Sequence, residues 1–483
     1  MNGEMMASQL WTGLELIAPL QARVLGTLPR MCNGVSIDTR TLRIDDLYFA
    51  IRGETHDGHS FVRNAFEAGA AAAVVDEANV DAVKGFGPLF VVHDVLAAME
   101  RLGQTARKRM TGMVVAVTGS VGKTSTKEAM RGVFSTFGKT HVSAASYNNH
   151  WGVPLTLARM PVDTGVGVFE VGMNHANEIR PLVQMVRPHV AVITAIAPVH
   201  LENLGSLEAI ADAKAEIFEG LEAGGFAIIP RDTSQYRRLD TMARQSRASI
   251  FLSFGETRGA DAQLIDVELA ADSSVVTADI MGQRLRYRLG APGRHLASNS
   301  LALMLAARAV GMDLVDAARE LSHVTAPAGR GEQMRLMVDD GVITLIDESY
   351  NANPVSMRAA LQLLAEAPPP AVFGRRIAIL GDMLELGPQE MRLHAELGDA
   401  IAGLPIDFVH TVGPRMAYLH DALPVEKRGL HGASALEMLD LLKGQVAPGD
   451  VIMIKGSNGA RMGAVVSALK QRYAAAPAKD IEG

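Results

Sequence analysis

The segment 114–126 reads VVAVTGSVGKTST, and it restricts the architecture more than any other stretch of the chain. Four apolar residues, Val114 to Val117, run into a glycine-rich turn and then into helix-forming sequence. A strand that leaves through such a turn into a helix belongs to a parallel sheet with crossover helices. The turn itself, Gly119-Ser120-Val121-Gly122-Lys123-Thr124-Ser125, has the chemistry of a phosphate cradle. Its glycines let backbone N–H groups approach phosphate oxygens, and the helix start adds donors and a favourable dipole. Lys123 is placed to reach the terminal phosphates, and Thr124 to offer its hydroxyl to Mg²⁺. The longer phosphate-loop pattern has glycine five positions before Gly122; Val117 stands there, so the match is to a shorter TGxxGKT form. A nucleoside triphosphate is the expected ligand.

With 483 residues the chain is too long for one core, and about three domains are expected. Residues 1–111 alternate short apolar runs (47–51, 73–75, 90–92) with helical patterns, ending in an amphipathic helix over 95–110. Residues 112–325 repeat strand and helix. The continuous apolar runs 166–171 and 190–196 predict strands covered on both faces. Helices are expected near 176–187, 206–221 and 296–310, and an antiparallel piece at 262–290. A junction near Thr325-Ala326-Pro327-Ala328-Gly329 opens a third unit, 326–483, with strands at 342–346, 376–380, 408–412 and 451–454. The fold class is α/β, with a second doubly wound sheet in the third unit.

Composition excludes several functions. No apolar run approaches the roughly 18–20 residues of a membrane span. The N-terminus lacks the basic and apolar segments of a secretory signal. A net charge of −7 argues against a nucleic-acid footprint, and 5% aromatic residues leave few stacking platforms. The single cysteine, Cys32, cannot form an internal disulfide, which fits a reducing cytoplasm; it is expected to be a small buried hydrophobe.

A phosphoryl-transfer site also needs metal ligands. Glu170 ends the strand 166–169, and His200 follows 190–196 in Ala197-Pro198-Val199-His200. Both fall at the carboxyl ends of strands in the sheet that bears the phosphate loop, where open α/β sheets bind ligands. Mg²⁺ is the expected ion, because no compact zinc spacing is present. Lys214, in Asp212-Ala213-Lys214-Ala215-Glu216, reads from spacing alone as part of a solvated, ion-paired helix face.

Taken in order along the chain, these segments resemble the Mur ligase family, the ATP-dependent amide-forming enzymes of peptidoglycan synthesis. The resemblance runs from SIDTR (36–40) through TGSVGKTS, NNHWGVPLTL (148–157), FEVGMNHANEI (169–179) and HLENLGSLEAIADAKAEIF (200–218). It continues through RHLASNSLA (294–302), GRGEQ (329–333), DESYNANP (347–354), GDMLELG (381–387) and IKGSNGARM (454–462). It implies three domains: a UDP-muramoyl-peptide domain, an ATP-binding domain and a Rossmann-like C-terminal domain. SYNANP and GDMLELG imply the member whose substrates are UDP-N-acetylmuramoyl-tripeptide and D-alanyl-D-alanine; a cytoplasmic monomer is expected.

The resemblance also implies residue roles. Gly119 to Ser125 would hold the ATP phosphates, and Thr124, Glu170 and His200 the Mg²⁺ ions. Lys214 would be carbamoylated and serve as a further metal ligand, against its local reading. Asn299 would contact adenine; the family's His-Asn pair is here His295-Leu296, without the second amide. Arg330 would reach the γ-phosphate, with Asp347, Tyr350 and Asn351 lining the nucleotide. Asn148 and Asn149 would touch the muramoyl substrate, and Ser36, Asp38, Thr39 and Arg40 its uridine nucleotide. Lys455 and Ser457 would meet the incoming dipeptide. Another Mur-type ligase, folylpolyglutamate synthase, which shares the chemistry, and a nucleotide-binding regulator without ligase activity are the alternatives.

Overall fold

The computed structural model describes residues 10–53, 56–144, 146–199, 201–270, 272–367 and 374–476. Three large sheets follow one another along the chain, beside a two-stranded antiparallel pair of Trp11–Thr12 and Met31–Cys32. The first comprises β1 (Arg23–Leu25), β2 (Gly34–Ser36), β3 (Asp46–Phe49), β4 (Ala72–Asp76) and β5 (Leu89–Val92), in the order β1-β5-β4-β3-β2. Only the β1–β5 pair is antiparallel. Helix α1 (Val95–Arg109) is capped by Asp94, whose Oδ1 accepts the Ala97 N–H, and packs Met99, Leu102 and Ala106 into the core. Cys32 is fully buried there; burial and the nearby carboxylates of Asp45 and Asp46 push its thiol up to about 12.

The second sheet is built from β6 (Met113–Thr118), β7 (Thr140–Val142), β8 (Val166–Glu170), β9 (Val190–Ile193), β10 (Phe226–Pro230) and β11 (Ile250–Gly255). It continues through β12 (Ala262–Leu269), β13 (Ser274–Ile280) and β14 (Gln283–Leu289). The order is β14-β13-β12-β11-β10-β9-β6-β8-β7. Helix α2 (Lys123–Phe137) follows the glycine turn, and α3 (Leu207–Ala215) and α4 (Arg294–Ala309) come later. The apolar runs of β6, β8 and β9 are buried on both faces, between one core that includes α2 and α4 and another beneath the helix Ile179–Val186. The antiparallel piece expected at 262–290 is present as the pairs β12–β13 and β13–β14, and β12 also pairs in parallel with β11, so that it extends the main sheet. Its burial alternates, one face packing on α4 while the other stays open.

The third sheet runs β15 (Glu332–Val338), β16 (Gly341–Glu348), β17 (Arg376–Gly381), β18 (Phe408–Val412), β19 (Arg428–Gly432) and β20 (Val451–Lys455), in the order β15-β16-β20-β17-β18-β19. All pairs are parallel except β15–β16, a hairpin that adds an antiparallel edge. Helix α5 (Pro354–Glu366) starts with a capping box from Asn353 and Ser356 and covers one face. The helix Gly152–Ala158 ties the first sheet to the second: Leu155 and Ala158 join the first core, and Trp11 Nε1 donates to Ala158 O at 2.9 Å. Among the described residues no helix is long and apolar enough to cross a membrane.

Candidate active site

Parallel pairing brings the site together. Glu170 lies beside Val117 across β8 and β6, and Ile193 beside Thr118 across β9 and β6. Both neighbours therefore end where the glycine turn begins. Gly119 and Gly122 have φ of +152° and +85°, which L side chains rarely adopt. A Cβ at Gly119 would also lie 2.0 Å from Thr194 Oγ1, and one at Gly122 2.4 Å from Asn299 Nδ2. The strand expected over 190–196 stops at Ile193, because the next residues clasp the loop instead. Thr194 Oγ1 donates to Val121 O at 2.6 Å, and the Ser120 N–H to Ala195 O at 2.8 Å.

Lys123 begins α2 and folds back to donate to Gly119 O at 2.6 Å. Burial in the cleft and nearby Arg330 lower its affinity for a proton, against the opposing pull of Glu170. Thr124 Oγ1 donates to Glu170 Oε2 at 2.9 Å, and Asn148 Nδ2 to Glu170 Oε1 at 2.8 Å. Glu170 is 1% exposed. A buried carboxylate needs a counter-charge; Lys127, itself fully buried, stands 3.9 Å from Glu170 Oε2 and bonds to Glu128 at 2.8 Å. Sequence reasoning passed over Lys127 and Thr194. The available signal for Lys127 was its place one turn after Lys123 on α2.

The oxygen pair of Thr124 and Glu170 suits Mg²⁺, which takes few protein ligands and completes its shell with water and phosphate. Among the described residues no group of three His, Cys, Asp or Glu could hold a metal ion. His200 lies outside the described residues. Lys214 contradicts its local reading as a solvated face: it is 1% exposed, and burial together with Lys123 pushes it well below the ordinary lysine range.

The third sheet supplies the opposite wall. Arg330 stacks on the ring of Tyr350 at 4.0 Å, and both face Lys123, Ser125, Glu170, Asn148 and Asn299 across a cleft of about 520 Å³. Asn351 and Lys455 also line it. Lys455 Nζ bonds to Glu348 Oε2 and to Asn351 O, each at 3.0 Å. Asp347 is not on the cleft surface. It is buried below, where Oδ2 accepts the Gly329 N–H at 3.1 Å and Oδ1 the Ser349 hydroxyl at 2.6 Å. Ser457 is likewise absent from the cleft: buried at 4%, it donates to Ala352 O and accepts the Leu384 N–H.

The remaining candidates lie elsewhere. Ser36 ends β2, and Asp38, Thr39 and Arg40 lie in the turn after it, in which Arg40 pairs with Asp38 at 2.6 Å. Asn149 is exposed, and its Oδ1 accepts the Gly152 N–H at 2.9 Å at the start of the helix Gly152–Ala158.

Comparison with known proteins agrees with this layout. The Mur ligase middle domain matches residues 117–307, the Mur ligase glutamate ligase domain 329–458, and the Mur ligase family catalytic domain 32–109. UDP-N-acetylmuramoyl-tripeptide--D-alanyl-D-alanine ligase of Bacillus subtilis is 34% identical, over 90% of this chain and 93% of that protein. The ligase of the same name from Escherichia coli is also 34% identical, over 91% and 94%. The crystal structure of MurF from Acinetobacter baumannii superposes with a TM-score of 0.82 at 28% identity, covering 95% of this chain and 99% of that one. Matched from the first sheet to the last in sequence and in fold, the chain belongs to the Mur ligase family.

Proposed function

We propose that this chain is the ADP-forming ligase that joins D-alanyl-D-alanine to UDP-N-acetylmuramoyl-tripeptide, acting in the cytoplasm with ATP and Mg²⁺. One observation carries the reading. The phosphate loop on the second sheet and Arg330 ahead of the third face each other across a single cleft, with Glu170 and Thr124 between them. The names of the curated relatives support the choice of substrates.

Amide formation from a carboxylate needs a better leaving group than oxide. The γ-phosphoryl group of ATP passes to the tripeptide carboxylate, giving an acyl phosphate and ADP. The dipeptide amine then attacks the acyl carbon, loses a proton, and the tetrahedral intermediate collapses with release of phosphate. The obstacle is repulsion between a carboxylate and a triphosphate. Lys123 and Arg330 offset it, with charge-assisted hydrogen bonds worth about 1.5–3 kcal/mol each. Mg²⁺, held by Thr124, Glu170 and His200, would add positive charge at the phosphate oxygens.

Residues 1–111 would hold the uridine nucleotide through Ser36, Asp38, Thr39 and Arg40, and Asn148 and Asn149 would meet the muramoyl peptide. Residues 112–325 would hold ATP, with Asn299 at adenine. Residues 326–483 would bring Arg330, Tyr350, Asn351 and Lys455, with Asp347 acting from below. Lys214 would react as a neutral amine with carbon dioxide, releasing a proton and becoming a carbamate ligand.

The test is phosphate release with ATP, UDP-muramoyl tripeptide and D-Ala-D-Ala, each omitted in turn. Full dependence on all three is expected. Turnover with folate and glutamate instead would assign the chain to folylpolyglutamate synthesis, and nucleotide binding without turnover would make it a regulator.

A further inference from the structure

A second cavity, of about 480 Å³, adjoins the nucleotide cleft. Thr124, Ser146, Arg330 and Tyr350 border both spaces, so the two meet where the terminal phosphate and the reacting carboxylate belong. Its floor is one face of α2, at Thr124, Glu128, Arg131 and Gly132, which follow helical spacing. Its charge is unbalanced. Glu128 is held at 2.8 Å by Lys127 and at 2.7 Å by Arg131 Nε, and Arg330 adds a further cation. Arg131 also donates from Nη2 to Ser143 O at 3.0 Å. These bonds use two of its five N–H donors, and the side chain remains 42% exposed.

Resting on the reading of this chain as a peptide-joining ligase, we infer that this cavity is a subsite for a peptide carboxylate remote from the reacting centre, with Arg131 as its ligand. The distances agree. Thr124 and Arg131 are seven residues apart on α2, about 10 Å along its axis. An extended dipeptide spans about 7 Å, and a hydrogen bond at each end closes the gap. A planar guanidinium takes a carboxylate through two parallel bonds, which a lysine cannot. Two sources have this chemistry and this reach. One is a carboxylate on the side chain of the tripeptide's third residue; the other is the C-terminal carboxylate of the incoming dipeptide.

The experiment is steady-state phosphate release by the full chain and by Arg131→Met, which keeps the aliphatic stem. Each is assayed with tripeptides whose third residue ends in a diamino acid carboxylate or in an amine only, and with D-Ala-D-Ala or its C-terminal amide. Loss of one charge-assisted contact should raise a single KM by about tenfold or more, with KM for ATP unchanged. A rise only for the carboxylate-bearing tripeptide assigns the subsite to the third residue. A rise only for D-Ala-D-Ala, with the amide used equally by both proteins, assigns it to the dipeptide. Unchanged peptide KM values, or an equal rise for ATP, overturn the inference. Should Arg131→Met fail to fold, the unaltered chain still decides: indifference to removal of either carboxylate overturns it. If the unaltered chain does not turn over these substrates at all, the ligase reading fails first.

Discussion

The carboxylate of Asp347 accepts the backbone N–H of Gly329 at 3.1 Å, and so bolts the turn that presents Arg330 to the end of β16. Two further bonds complete the bolt: Gly331 N–H to Asp347 O at 2.8 Å, and Tyr350 N–H to Gly329 O at 3.0 Å. Gly329 sits at φ +73°, with the position of a Cβ only 3.0 Å from that of Tyr350. The arginine is therefore tied to the third sheet, and its guanidinium rests on the Tyr350 ring.

Asp347→Ala is expected to leave the Gly329 N–H and the Ser349 hydroxyl unpaired in a buried place, costing about 1–3 kcal/mol. On the proposed role of Arg330 at the transferring phosphate, kcat should fall further than KM for tripeptide rises. Thermal unfolding together with steady-state kinetics checks both. Unchanged kcat in a destabilised protein would separate the turn from catalysis.

Lys455 and Glu348 are neighbours in register across β20 and β16, bonded at 3.0 Å and 2% and 12% exposed. Lys455→Met strands a largely buried carboxylate, and a loss of about 3–5 kcal/mol is expected. Adding Glu348→Gln should recover much of it, since the cost lies in the uncompensated charge. Chemical denaturation of the two single variants and the double variant closes the cycle.

How far the sequence could be read follows from what is local. The strand, glycine turn and helix of 114–126 are set by neighbouring residues, and β6 and α2 stand where the pattern puts them. Glu170 was legible for the same reason, as the polar end of an apolar run. Lys214 was not. Its helix carries Glu208 and Asp212, with Glu216 just beyond its end, which read as a solvated surface, whereas the burial of Lys214 is decided by packing distant in sequence. The alternation of 262–290 identified the hairpins, but pairing of β12 with β11 depends on tertiary placement. Ser457 and Asp347 carry motif positions, yet their bonds turn inward, and no spacing rule reports the direction of a side chain.

Several histidines are held neutral by their surroundings. His394 Nε2 accepts the Met383 N–H at 3.0 Å, and His410 Nδ1 the Leu430 N–H at 2.8 Å. Burial lowers both, His410 to about 4, and burial also takes His141 down to about 4. The folded affinities lie below the unfolded value near 6.5, so the unfolded chain binds more protons in that interval. Stability from these groups is complete above about pH 6.5 and is lost as pH falls toward about 4. Melting temperature should decline across this window. His410→Gln, which keeps an acceptor without a titration, should flatten part of the slope.

Lys214 supplies the sharpest test of the metal site. A fully buried lysine without a carboxylate partner among the described residues is costly to keep charged, and burial with Lys123 nearby favours the neutral amine. Lys214→Met keeps the volume and removes the awkward nitrogen, so the fold should be as stable as the parent or more so. Activity, in contrast, should drop by about a hundredfold or more if a carbamate carries charge to the metal, a loss near 2.7 kcal/mol in the barrier. Lys214→Ala opens room beside the same wall, and short carboxylic acids such as acetate or propionate should restore part of its turnover while doing nothing for Lys214→Met. Equal activity of the parent and Lys214→Met, or no rescue of an inactive but folded Lys214→Ala, would leave Lys214 a packing residue and return the metal to Thr124 and Glu170 with their remaining partners.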